Sequence, residues 1–318
     1  MVTRISSFGQ NQTLVNYMMN RQRDLANAQV QVSSGKVSQT YSGIARDSNA
    51  LTDAKSAQAK LDGYLASSME LEQKLKLYDT SIGAIATIAE EARQDMIKAV
   101  NLNSGSGLFE KMRGHLEQLS SLLQTKDGDD FIFGGTREDT APTSVGTVAD
   151  LLALSASGDA FQNSQTKQRQ NISDDRSMEY GVLADDVAGG LMNVLYRVHQ
   201  FNAGTLPSGA GAYAPAGAFQ DPLTDNQRDF LIAEFSNAVT ALESVRTEEA
   251  RNGVNLATLD RQTTLQTTQR NYAEIFVSDI EDVDLAEAVN RLNADQTALE
   301  TTMAVLGRLN RNTLLNYL

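Results

Sequence analysis

Cysteine is absent from this 318-residue chain, which excludes disulfides, thiolate metal sites and a cysteine nucleophile. Tryptophan is absent too, and aromatics make up only 6% of residues, so long helices with small interfaces suit the composition better than a broad globular core. Histidine is reduced to His115 and His199, and neither has a second histidine at ligand spacing. His199 reads as interacting with the C-terminus of its own helix. Positive charge is short, with a net charge of −13, which argues against nucleic acid as a partner because phosphate contacts need clustered Lys and Arg. No run approaches the roughly 18 apolar residues of a membrane span. Proline occurs only four times, at Pro142, Pro207, Pro215 and Pro222, in one central block that also holds much of the glycine. Proline breaks helix interiors and glycine weakens them. The chain therefore reads as leaving along helices, making a compact excursion and returning along helices.

Catalytic signatures are missing as well. There is no G-x-S-x-G and no H-E-x-x-H, and Gly134-Gly135 is not followed by the Gly-Lys-Ser/Thr of a phosphate loop. The Lys126–Asp130 turn lacks a glutamate at the twelfth position of a calcium loop. The acidic run Asp279, Glu281, Asp282, Asp284 fits a helix N-terminus, where acids cap free amides and complement the macrodipole, better than a cation site. No cofactor or metal is expected, and the reading is not an enzyme.

What is present is helical periodicity. Residues 5–32 carry a stripe at Leu14, Met18, Leu25, Ala28 and Val32, interrupted by Arg21, and Ser33-Ser34-Gly35-Lys36 reads as the stop. A long helix is predicted from about Ser48 to Val100 with Leu61, Leu65, Leu71, Leu75, Ile82, Ile85 and Ile88 inward, then another from Leu108 to Gln124. Phe131-Ile132-Phe133 reads as a short strand, and Lys167–Ile172 with Met178–Leu183 as a hairpin. Val187–Phe201 is read as a helix. Another helix, capped by Thr224-Asp225, runs through Phe230, Ile232, Phe235, Val239, Leu242 and Val245, with Asn252-Gly253 as a bend or interruption. Its pattern resumes through Leu256, Leu259, Leu265, Tyr272 and Phe276, and Ser278-x-x-Glu281 is a capping-box candidate for the last helix.

That last segment holds a heptad of nine positions: Leu285, Val289, Leu292, Gln296, Leu299, Met303, Leu306, Asn310 and Thr313, in 4-3 steps. Charge favours pairing of the two ends. Residues 1–50 carry five basic against two acidic residues, and residues 279–318 three against seven. The expected interface residues are Leu14, Met18, Leu25 and Val32 from the first helix, with Leu285, Val289, Leu292, Leu299, Met303, Leu306, Leu314 and Leu315 from the last. The fold class is mainly α: an elongated helical hairpin with a terminal antiparallel coiled coil, a long helical rod and a small inserted outer domain of α+β or β-rich character.

The segment Ser278-Asp279-Ile280-Glu281-Asp282-Val283-Asp284-Leu285-Ala286-Glu287-Ala288-Val289 resembles the S-D-I-E-D-x-D-x-A-E-x stretch of bacterial flagellins and their hook-associated relatives. Ser33-Ser34-Gly35-Lys36 is similar to the S-[ST]-G-[KR] that ends the first helix in that family. Arg46-Asp47-Ser48 stands where the family often has S-D-D-P-A and lacks its proline, and Glu248–Leu259 lacks the family's Asn-Arg pair. Two further details resemble hook–filament junction proteins more than flagellins: Gly128–Gly135, similar to their G-x-[YF]-[IL]-F-[AG]-G, and the ending Leu314-Leu315-Asn316-Tyr317-Leu318.

The resemblance implies a structural subunit of the bacterial flagellum, a hook–filament junction adapter, with flagellin itself as the alternative. It implies an inner core domain from residues 1–45 and 285–318, a helical rod domain from 46–133 and 223–284, and an outward domain from 134–222. Implied partners are copies of the chain in a ring or tube, flagellin, another hook-associated protein and an export chaperone. The implied location is extracellular, reached by export without a cleaved signal, which would fit the missing apolar signal core near Met1–Phe8.

Overall fold

The computed structural model describes the backbone over residues 3–207, 213 and 215–315, and side chains over 9, 12–207, 213 and 215–308. Among the described residues the fold is mainly α. In chain order come α1 (Thr3–Ser34), α2 (Ser48–Leu102), α3 (Leu108–Leu123), β1 (Lys126–Asp127), β2 (Asp130–Phe131), α4 (Val148–Leu152), β3 (Gln168–Ser173), β4 (Arg176–Tyr180), α5 (Ala184–Ala203), α6 (Asp225–Glu281) and α7 (Leu285–Leu315). The helix boundaries follow the sequence closely. Neither Gly63 nor Gly83 interrupts α2, and Asn252-Gly253 does not interrupt α6.

The chain divides into two compact units, residues 63–266 and residues 1–62 with 267–318. The first of these is built on a dense apolar core. Leu75, Ile82, Ile85 and Met96 of α2 are fully buried, as are Met112, Leu116, Leu119 and Leu123 of α3 and Leu191 and Leu195 of α5. Phe201 of α5 stacks on Phe230 of α6 with ring centroids 4.1 Å apart. Burial of this kind is worth about 1.5–3 kcal/mol per large side chain. Thr224 and Gln227 cap α6 reciprocally: the Gln227 amide donates to the Thr224 hydroxyl at 3.3 Å, and the Thr224 amide to the Gln227 side chain at 3.2 Å.

Three features differ from the sequence reading. Ile232 is exposed and Leu231 takes the core position. Glu234, with no exposure at all, sits in the buried stripe of α6, neutralised by Arg197 at 2.6 Å. Asn252 does not bend α6; its amide donates to the Leu75 carbonyl at 2.9 Å, and further along Gln266 donates to the Ile172 carbonyl at 2.6 Å. These polar residues tether α2 and the β3–β4 hairpin to α6 because a buried amide must find partners.

Only Phe131 of the expected Phe131–Phe133 strand is in a strand, Asp130–Phe131, which pairs with Lys126–Asp127, and Ile132–Gly134 turns into a 3-10 helix. The turn is held by Tyr78. Burial pushes its hydroxyl pKa upward, so it stays a donor, and it donates to the Ile132 carbonyl. Gly135 follows at φ 66°, ψ −127°, a region only glycine enters readily. A Cβ there would lie 2.7 Å from Leu183 and 2.8 Å from the Thr166 carbonyl. The hairpin is antiparallel from Gln168↔Tyr180 to Ser173↔Arg176, with an irregularity between Asn171 and Ser173.

His199 is completely buried, not a cap of its helix end. It meets Phe109 of α3 edge-to-face at 5.3 Å. His115 is nearly buried on α3, with its Nε2 3.2 Å from Asp95 of α2 and its Nδ1 4.0 Å from Glu91.

Candidate assembly interface

The unit of residues 1–62 and 267–318 is organised around α1 packed antiparallel on α7. Gly35, at φ 69°, ends α1 and turns the chain so that its carbonyl accepts from the Val283 amide at 3.0 Å. The Val37 amide donates to the Glu281 carbonyl at 2.7 Å, closing a two-bond bridge between the end of α1 and the α6–α7 turn. Charge reinforces it. Lys36 reaches Asp282 at 2.6 Å and Glu281 at 3.2 Å, and Lys55 also pairs with Glu281. The lysines hold both carboxyl groups below their usual pKa range: Lys55 is the main cause for Glu281, and Lys36 for Asp282.

The acidic run thus divides its labour. Asp284 caps α7, accepting from the Ala286 and Glu287 amides at 2.8 and 3.2 Å. Ser278 and Glu281 are not a capping box for the last helix. Both lie inside the last turn of α6, where Ser278 bonds to Asp282 at 2.6 Å. Among the described residues no group of acids or histidines is arranged to hold a metal.

From that junction the two helices run together with matched spacing. On α1 the positions Leu14, Met18, Arg21, Leu25, Ala28 and Val32 are half-buried or buried, in 4-3 steps. On α7 the corresponding set is Ala288, Leu292, Asp295, Leu299, Thr302 and Leu306, also in 4-3 steps. This is the 3.5-residue repeat of a coiled coil. The nine-position heptad therefore divides between two faces. Leu292, Leu299 and Leu306 belong to the seam with α1. Leu285 and Val289 are 53% and 41% exposed, Met303 is 45% exposed, and Gln296 is exposed as well. The side chains of Asn310, Thr313, Leu314 and Leu315 lie outside the described residues.

The seam positions missing from the sequence reading are Ala288, Asp295 and Thr302. They form a perfect heptad, but two are polar and one is small, so a search for large apolar residues passes over them. Asp295 takes the charge of Arg21 at 3.2 Å.

Beyond the seam this unit is short of core. Its fully buried hydrophobic side chains, among the described residues, are Ala28, Leu51 and Ala288. Exposed instead are Tyr17, Met19 and Val30 of α1, Tyr41 between α1 and α2, Tyr272, Ile275 and Phe276 of α6, and Leu285, Val289, Met303 and Val305 of α7. A shallow groove beside the seam is lined by Tyr17 and by Ala294, Thr297, Ala298 and Thr301 of α7. Exposed apolar surface on this scale, next to so small a core, makes this unit the candidate contact face.

Residues 235–318 match the family model of the bacterial flagellin C-terminal helical region. No curated protein matches the chain. Among solved structures, a putative flagellar hook-associated protein from Vibrio parahaemolyticus superposes with a TM-score of 0.60 at 15% identity, over 76% of this chain and 100% of that one. The FlgL protein of Bacillus cereus superposes with a TM-score of 0.52 at 13% identity, over 72% of this chain and 99% of that one. The chain is thus flagellin-like in its C-terminal helices and hook-associated-like in its fold.

Proposed function

We propose that this chain is a structural subunit of the bacterial flagellum, acting as a hook–filament junction adapter. One observation carries the reading: among the described residues, the unit containing α1 and α7 buries three hydrophobic side chains completely while it exposes eleven large ones, seven of them on the segment that matches the flagellin C-terminal region. Helix pairs with so little core recover little of their ordering entropy alone, and contact with further helices supplies the rest. The partners this suggests are copies of the chain in a ring or tube, flagellin on one side and another hook-associated protein on the other. Delivery with an export chaperone, through a route that cleaves no signal, belongs to the same proposal. Residues 1–45 and 285–318 would form the inner layer of the tube, 46–133 and 223–284 the middle layer, and 134–222 the outward layer. The role is mechanical, with no reaction assigned.

The test is substitution on the exposed face. Met303→Asp should leave the monomer folded, because Met303 is outside the seam, and should abolish incorporation into flagella of cells that lack the parent chain. Leu299→Asp should abolish incorporation too, through the seam. Normal incorporation of both variants would refute the interface. Met19→Asp, on the exposed side of α1, provides a third probe of the same surface.

A further inference from the structure

The α1–α7 seam contains one charged layer, and its position is informative. Arg21 stands seven residues before Ala28, and Asp295 seven residues after Ala288. In antiparallel helices these are layers of one ladder a heptad apart, with Ala28 and Ala288 beyond Leu25 and Leu292 on one side of the charged pair, and Leu14 and Thr302 beyond Met18 and Leu299 on the other. Asp295 is 8% exposed, so its carboxylate is committed to the protein. Arg21 meets it at 3.2 Å through Nη1, donates to the Tyr17 hydroxyl at 2.9 Å through Nη2, and lies 3.8 Å from Asp24.

We propose that Arg21–Asp295 is the register lock of the α1–α7 pair. The junction at Gly35 and Val283 fixes only one end of the seam. Arg21 lies 14 residues from it, about 21 Å along the helix. Beyond that point the remaining seam residues are Met18 and Leu14 of α1 and Leu299, Thr302 and Leu306 of α7, which adhere in more than one alignment. A slip by one heptad would set Arg21 across from Ala288 or Thr302 and Asp295 across from Ala28 or Leu14. Asp295 would then face groups that cannot compensate it, while Arg21 would keep only Tyr17 and Asp24 of its own helix, and an uncompensated carboxylate in a packed layer costs more than the pair contributes. A charged or polar residue at a single core position is the established way for a coiled coil to select one register at some cost in stability. Arg21 and Asp295 therefore act as positioning residues: they choose the alignment, while the apolar layers supply the adhesion. This holds whatever the assembled chain joins.

The absence of native cysteine gives a clean test in the full chain. Leu14→Cys with Thr302→Cys places a thiol pair one heptad past the lock, and mild oxidation reports how often that layer is aligned. The pair should form its disulfide at least tenfold more slowly when R21D or D295R is added, and the swap R21D/D295R should restore the rate to within threefold. Amide protection in α3 and α5 should stay at the parent value in every variant. Unchanged rates in the single variants, or a swap as slow as either of them, would overturn the lock. Loss of α3 and α5 protection in the single variants would overturn it too, by making the pair a general requirement of folding.

Discussion

At the residue scale, His199 has the most direct chemical consequence. Burial lowers its pKa to about 4, with the Met112 backbone opposing the shift. In the unfolded chain a histidine titrates near 6.5. The folded state therefore resists protonation: its full stability is present above about pH 6.5 and is lost as the pH falls from there towards 4. A shift of this size corresponds to roughly 3 kcal/mol across that window. His199→Leu should lose less stability than the parent chain between pH 7 and pH 4, by about that amount, in denaturant titrations followed by circular dichroism. Equal losses in the two proteins would show that the ring is not the acid-sensitive group. Nothing in the sequence distinguishes this histidine from one at a helix end, because burial depends on Phe109, 90 positions away and brought beside it only by the packing of α3 on α5.

At the element scale, the seam depends on small residues as much as on large ones. Ala28 and Ala288 are buried and lie at matching levels of α1 and α7. Ala288→Leu should force the helices apart and cost about 1–3 kcal/mol, the usual range for overpacking. Hydrogen exchange should show faster amides in α1 and α7 while α3 and α5 keep their protection; uniform loss in all four would contradict a seam that is energetically local. The first stripe, Leu14 to Val32, was legible in the sequence because large apolar residues mark most of its layers. On α7 the repeat of 3.5 was legible but its frame was only half so. Leu292, Leu299 and Leu306 serve the seam, whereas Leu285, Val289 and Met303 look outward, and a one-dimensional heptad cannot separate two neighbouring apolar faces. Polar residues misled in the same way. Asn252, Gln266 and Glu234 break an apolar count, yet each sits on the buried stripe of α6 because a partner reaches it from elsewhere: the Leu75 carbonyl, the Ile172 carbonyl and Arg197. Of the acidic run only Asp284 takes the helix N-terminal place expected of all four; Asp279 and Glu281 lie in the last turn of α6, and the lysine partners of Glu281 and Asp282, Lys36 and Lys55, lie more than 220 positions away, where spacing cannot assign them.

At the scale of the whole molecule, burial is unequally distributed. The unit of residues 63–266 holds most of the apolar core, with its helices tethered by buried amides and the Arg197–Glu234 pair. The unit carrying the chain ends is held by a coiled-coil seam with a charged layer and by the Gly35–Val283 junction, and among the described residues it shows eleven large hydrophobic side chains to solvent. A net charge of −13 opposes indiscriminate association of a chain with that surface. The opposite signs of the two ends, inferred from composition, resolve into specific pairs: Arg21 with Asp295, and Lys36 and Lys55 with Glu281 and Asp282. Electron microscopy of the purified chain, added to isolated hook ends and then supplied with flagellin, tests the assembly account most directly. The account predicts a chain that stays monomeric alone, adds as a short ring at the hook end and then permits filament growth. Long filaments of this chain alone, or hook ends left bare, would contradict it.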